Sequence, residues 1–285
     1  MANQARSGKS EFLTNRLVIG CGYLGHRVAQ AWRAQGYTTL ATTRSRFQEL
    51  RELGLIPIFA DVTCRDLVPG LPAASTTLIA VGIDRTTQTS PRDVYLRGLE
   101  NILSRLPAVG RVIYISSTGV YGPSTSDIDE ATPVAPEDET GQAIVEAEQL
   151  LLATRPEAII LRFAGIYGPG RLPREKAVLT GQPLPTDPNG WLNLIHVVDG
   201  VAAVLAAEQK GCGGAIYNIS DGQPVRRGDF YRRLAELLHA PPPTFVTPAA
   251  GERGSRRVSN RKMREELQIE LLYPSYQQGL AACLY

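Results

Sequence analysis

Two short stretches carry residue types and spacings that could do chemistry. The first is GCGYLG, with glycine at Gly20, Gly22 and Gly25. Glycine at these places permits a tight turn, lets backbone approach a pyrophosphate, and allows a helix to pack close to a strand. The N–H groups at the start of that helix attract the anion. The second is VIYISSTGVYGP, Val112 to Pro123, which runs apolar and then stops in three hydroxyl side chains, Ser116, Ser117 and Thr118. A hydroxyl parked at a strand end does chemistry only if the chain supplies partners for it.

Both stretches need strands and helices to position them, and the apolar pattern supplies these. RLVIG (16–20), TTLATT (38–43), IPIFADV (56–62), TTLIAVG (76–82), VIYIS (112–116) and AIILRF (158–163) are short apolar runs separated by helical patterns. Between the first two, Leu24, Val28 and Trp32 recur every four residues, so one helical face is apolar, and Gly36 stands where the helix should end. Continuous apolar runs rich in β-branched residues are what a parallel sheet covered on both faces requires. The expected fold is α/β, a Rossmann-like doubly wound parallel sheet. The turn GCGYLG then lies between a strand and an amphipathic helix, the context that makes this glycine pattern a dinucleotide site.

The end of the second strand reads ATTRSR. Thr43, Arg44 and Ser45 supply hydroxyls and a cation, with no carboxylate before Glu49. An acidic residue there would suit the ribose of NAD and an arginine the extra phosphate of NADP, so NADP is the expected cofactor and NAD the alternative. Ligands of such sheets lie outside the carboxyl ends of the strands. On that rule Asp61 and Val62, after the third strand, flank the adenine. Val81 and Gly82, after the fourth, border the ribose beside the nicotinamide. The cofactor-binding set is therefore Gly20, Gly22, Tyr23, Leu24, Gly25, Thr43, Arg44, Asp61, Val62, Val81 and Gly82.

Composition excludes several classes. The 285 residues are 43% apolar and 20% charged, with 30 basic against 28 acidic side chains and no dense basic block, so nucleic acid and membrane are not expected partners. The opening MANQARSGKSEFL lacks the apolar run of a secretory signal and is expected to be a loose tail. Cys21, Cys64, Cys212 and Cys283 form no C-x-x-C pair, which argues against zinc and against a disulfide framework, and no metal site is expected. A cytoplasmic setting follows.

From Arg16 onward the chain resembles the extended short-chain dehydrogenase/reductase superfamily, the NAD(P)-dependent epimerase/dehydratase group. The resemblance is carried, in order, by GCGYLG, by Gly98 and Asn101 in LRGLENIL, and by ISSTGVYG, LRFAGIYGPG, NLIHVVDGVAAV and IYNISDGQPV. It implies a cofactor domain, expected over 14–165 and 191–220, and a small discontinuous substrate domain, expected over 166–190 and 221–285. It further implies hydride transfer, with a tyrosine as acid or base, a lysine four residues later lowering the tyrosine pKa, and a serine or threonine polarising the substrate oxygen. Counting back from Tyr121 assigns that serine to Ser117. A homodimer through helices beside the fourth and fifth strands is common in the family.

The tyrosine and lysine are absent. In ETGQAIVEAEQLL, Thr140 stands at the tyrosine position and Ile144 at the lysine position. The only lysines are Lys9, Lys176, Lys210 and Lys262, and none follows a tyrosine by four residues. A threonine does not ionise usefully near neutral pH and isoleucine has no charge to lend. One reading is an atypical epimerase, dehydratase or reductase acting on a sugar-nucleotide-like or small polar alcohol or carbonyl, with Ser117 and Tyr121 as its catalytic residues. The other is a non-catalytic NADP(H)-binding sensor. Arg171, after YGPG, is the expected contact for an anionic substrate, whereas Arg162 and His196 are expected to hold structure.

Overall fold

The computed structural model describes residues 14–84, 87–124, 126–247 and 255–284. The opening tail and the PAAGERG portion of the later loop lie outside them. Seven parallel strands form the central sheet: β1 (Arg16–Ile19), β2 (Thr39–Thr43), β3 (Ile56–Phe59), β4 (Thr76–Ile79), β5 (Arg111–Ser117), β6 (Ile159–Phe163) and β7 (Ile216–Ile219). Their order is β7-β6-β5-β4-β1-β2-β3. The inner strands are apolar because both faces are covered. Leu17, Val18, Leu78, Ile113 and Ile160 are wholly buried, while β3 at the edge leaves Ile56 and Phe59 exposed.

Nine α-helices are seen among the described residues: α1 (Gly25–Ala34), α2 (Phe47–Glu52), α3 (Gly98–Leu103), α4 (Glu139–Thr154), α5 (Glu175–Leu179), α6 (Val197–Lys210), α7 (Arg227–Leu237), α8 (Arg261–Glu266) and α9 (Tyr276–Leu284). Val28 and Trp32 of α1 share one cluster with Ala203 and Val204 of α6, and Leu99 and Ile102 of α3 share another with Ala147 and Leu151 of α4. The ten residues of α1 would hardly stay helical alone in water. Burying each large apolar side chain gives roughly 1.5–3 kcal/mol, so packing decides the matter. Gly36 ends the turn at φ +89°, a conformation that disfavours other residues.

A smaller cluster gathers Tyr167, Leu184, Phe230, Leu234 and Leu280. The segment 221–285, expected in the small domain, contributes to both clusters. Met263, Leu267 and Ile269 bury in the same cluster as Val28 and Trp32, so the chain returns to the large core at α8 before α9 joins the small one. The reason is length: seven residues of local apolar pattern say that a helix packs, but not against which core. No helix among the described residues is long and apolar enough to cross a membrane.

Candidate functional site

The strand order reverses between β1 and β4, and a cavity of about 250 Å³ opens at that switch, lined from the carboxyl ends of β1 to β4. The glycine turn forms its floor. Gly20 has φ +89°, and a Cβ there would fall 2.6 Å from the Ala80 carbonyl oxygen, so no side chain fits. Gly22 has open space on its Cβ side, whereas a Cβ at Gly25 would meet the Gly20 oxygen at 2.4 Å. Thr42 Oγ1 fixes the turn by accepting from the Gly20 N–H at 3.1 Å. The start of α1 has neither a side-chain cap nor an acidic residue, so its first N–H groups have no side-chain acceptor. This cradle fits a dinucleotide pyrophosphate.

Gly20, Gly22, Thr43, Arg44, Asp61, Val62, Val81 and Gly82 line the cavity. Asp61 Oδ1 accepts from the Thr63 N–H at 3.0 Å and from its hydroxyl at 2.7 Å. Asn101 donates to the Val62 carbonyl at 2.9 Å, and Gly98 lets that valine approach, its absent Cβ lying 3.2 Å from Val62 Cγ2. The LRGLENIL motif therefore shapes the cavity from outside it. Arg44 pairs with Asp84 at 2.9 Å. Three expected cofactor residues lie differently. Leu24 is a core side chain, Gly25 serves helix-to-strand packing, and Tyr23 donates its hydroxyl to the Pro169 carbonyl at 3.0 Å.

Arg46 was not anticipated. It donates to the Cys21 carbonyl at 2.9 Å and pairs with Glu49, tying α2 to the glycine turn, and it also lines the cavity. The alternation of arginines in TTRSR was the available signal. Cys21 itself is buried, and burial pushes its thiol up to about 11, which leaves it inert.

Ser117 is the last residue of β5, one strand over from the cavity wall formed after β4. Its Oγ accepts from the Gly119 N–H at 3.0 Å, so its own O–H is left to donate. Thr140 is half-buried in the first turn of α4. Ile144, one turn on, is buried with Val120, Tyr121, Ile128 and Val258. The surroundings of Ile144 are therefore apolar.

Tyr121 departs from expectation. It is 1% exposed, donates to Asn218 Oδ1 at 3.0 Å and accepts from Arg162 at 2.8 Å. Burial raises its phenol above the ordinary value, and the Arg162 charge offsets this only in part. Proton delivery to substrate does not fit this placement. Arg162 also binds Glu148 through two bonds, of 3.0 and 2.6 Å, and Ser116 donates to the same carboxylate. Ser116, Arg162 and Asn218 are register neighbours on β5, β6 and β7, so a polar row crosses the sheet beside the last turn of β5. Buried charges persist only when paired and hydrogen-bonded in this way.

His196 is likewise structural. Its Nδ1 accepts from the Val198 N–H at 3.3 Å to cap α6, and burial, then the Arg27 charge, lower its pKa to about 4. The Asp199 carboxylate accepts from the N–H groups of Leu272 and Tyr273, at 2.7 and 3.0 Å. Arg171 lies 5.2 Å over the Tyr23 ring, on the side of the glycine turn. Among the described residues no group of three or more His, Cys, Asp or Glu side chains could hold a metal ion.

Comparison with known proteins agrees with this geometry. The NAD dependent epimerase/dehydratase family model matches residues 16–220. Protein YeeZ of Escherichia coli (strain K12) is 30% identical over 268 residues, covering 90% of this chain and 95% of its own. A 3-diazoavenalumate denitrifying reductase of Streptomyces sp. is 26% identical over 303 residues, covering 93% and 98%. A solved structure of a functionally unknown conserved protein from Silicibacter pomeroyi DSS superimposes with a TM-score of 0.78 at 29% identity, covering 95% of this chain and 98% of that one. With its glycine cradle at the sheet reversal and its ordered run of motifs, the chain belongs to the NAD dependent epimerase/dehydratase family.

Proposed function

We propose that the protein is an NADP(H)-dependent reductase of a carbonyl compound, working without the tyrosine and lysine its relatives' architecture leads one to expect. When bound, the cofactor supplies the hydride. The chain's own residues do the rest. Gly20, Gly22 and the start of α1 hold the pyrophosphate, Asp61 and Val62 flank the adenine, and Val81 and Gly82 border the nicotinamide ribose. Arg44 takes the 2′-phosphate that separates NADP from NAD, as a planar guanidinium beside the Thr43 hydroxyl suits a phosphate. Ser117 donates its O–H to the substrate carbonyl and steadies the negative charge that develops there, with water as the proton source.

The observation carrying this reading is the Ser117 hydroxyl, oriented by the Gly119 N–H and standing on the strand next to the cavity wall. The Streptomyces relative, a reductase by name, supports the reductive direction. The test is steady-state oxidation of NADPH with a panel of small ketones and aldehydes. Ser117→Ala should cut turnover by about 10²–10³-fold, the range for losing one such donor, while leaving NADPH affinity within twofold. Turnover untouched in Ser117→Ala sinks the proposal. A second reading, a sensor of NADP(H) without turnover, is favoured by the engaged Tyr121 and the apolar setting of Ile144. Tight NADPH binding with no oxidation of it by any carbonyl would select that reading.

A further inference from the structure

We propose that the reductase's substrate carries an anionic oxygen group, a carboxylate or a phosphate, and that Arg226 seats it in a second cleft beside Trp191. The inference rests on the reading of Ser117 given above, because the same turn that follows Ser117 walls this cleft. The cleft is about 700 Å³ and is lined by Pro123, Ser124, Trp191, Arg226 and Ser255. Pro123 and Ser124 continue directly from the Ser117 turn, whereas the other residues come from the segments that build the smaller part of the molecule.

The walls are fixed. The Ser124 N–H donates to the Ser255 carbonyl at 2.9 Å, and the Trp191 N–H donates to Ser255 Oγ at 2.9 Å. Trp191 and Arg226 face one another as register partners of a short antiparallel pair, and the guanidinium lies 3.7 Å over the indole. A guanidinium held flat on an aromatic face loses little further freedom when it binds, so it is preorganised.

Charge pairing separates Arg226 from its neighbours. Arg257, 5.6 Å over the same indole, is paired with Asp127 at 2.7 Å. Arg232 and Arg233 on α7 each pair with a carboxylate of their own helix. Arg226 meets no carboxylate among the described residues. Its hydrogen bond goes to the neutral Asn189 carbonyl, leaving most of its five N–H donors. An exposed arginine outside any ion pair among the described residues, held on a rigid aromatic backing, is the chemistry of an anion seat. Arg171, expected from the sequence as the contact for an anionic substrate, lies over the Tyr23 ring.

Fluorescence gives the test. Trp191 is one of two tryptophans, and the other, Trp32, is wholly buried. Full-length protein is titrated with inorganic phosphate and, separately, with benzoate, at constant ionic strength against chloride. A saturable change in tryptophan emission with one of them identifies which anion the seat prefers. Arg226→Gln should weaken that anion by about 10- to 100-fold, the loss of one charge-assisted hydrogen bond, and Trp191→Phe should remove the signal. Arg226→Lys, which keeps charge but not the flat fork, should fall between. Affinity for NADPH, read from cofactor fluorescence, should stay within twofold in each variant. Emission changes matched by chloride, or an anion affinity unaltered in Arg226→Gln, would overturn the proposal. A failure of wild-type protein to bind NADPH would instead strike the reading of the cofactor site and leave the anion seat standing.

Discussion

The Arg44–Asp84 pair makes a quantitative prediction about cofactor choice. The two side chains meet at 2.9 Å and are 50% and 39% exposed, so the pair is solvent-screened and worth about 0.2–1 kcal/mol. A charge-assisted hydrogen bond from Arg44 to a 2′-phosphate is worth about 1.5–3 kcal/mol, which exceeds what leaving Asp84 costs. On the proposal that Arg44 takes the 2′-phosphate, Asp84 competes mildly with that phosphate. Replacing Asp84 by Asn should tighten NADP(H) by about 1.5- to 5-fold and leave NAD(H) unchanged, at 1.4 kcal/mol per tenfold. Replacing Arg44 by Gln should weaken NADP(H) by about 10- to 100-fold and bring the two cofactors close to parity. Titration calorimetry of both at about 0.15 M salt reads these values, with higher salt shrinking the Asp84 effect. If Arg44→Gln weakens both cofactors alike or neither, or if Asp84→Asn weakens NADP(H), the assignment of Arg44 to the 2′-phosphate is wrong.

Three further outcomes are expected. Glu148→Gln leaves Arg162 buried without its carboxylate and should cost roughly 3–5 kcal/mol in urea unfolding. Ile144→Lys puts an ammonium among Val120, Tyr121 and Val258 and should destabilise by a similar amount, roughly 3–5 kcal/mol, rather than restore a proton relay. Asp221 is 3% exposed, and burial, opposed by the Gln223 N–H, raises its pKa to about 7. Because its folded value exceeds the unfolded one, its contribution is fully present below about pH 4 and is lost as pH rises through about 7. Asp221→Asn should therefore flatten the pH dependence of the unfolding midpoint between those limits and raise stability at pH 8 by roughly 1–3 kcal/mol; a wild-type slope retained in the variant would remove Asp221 as its source.

Much of the frame was legible because its causes are local. The first six strands are continuous apolar runs, and α1 announces itself by Val28 and Trp32 followed by Gly36. The glycine turn was readable for the same reason, since Gly20 and Gly25 answer contacts within the turn or with the adjoining strands. Tyr121 was not, because Arg162 and Asn218, which engage its hydroxyl, lie 41 and 97 residues away and no period links them. The same holds for the pairing of Arg44 with Asp84, 40 residues on. Arg226 was hidden because its meaning depends on Trp191 opposite it and on a carboxylate that its neighbours have and it lacks among the described residues. Local pattern fixes which element forms, whereas the partners of a buried polar group are chosen by the assembled sheet.

The late return of the chain to the large core has a bearing on biosynthesis. Met263, Leu267 and Ile269 complete the packing begun by Val18 and Val28, and Leu280 completes the packing around Tyr167. A ribosome must pass these positions before either core can close, so a nascent chain carrying the finished glycine cradle still shows water an apolar flank. A stop codon before Met263 would leave a product with all seven sheet strands and a gap in the core they share with α1.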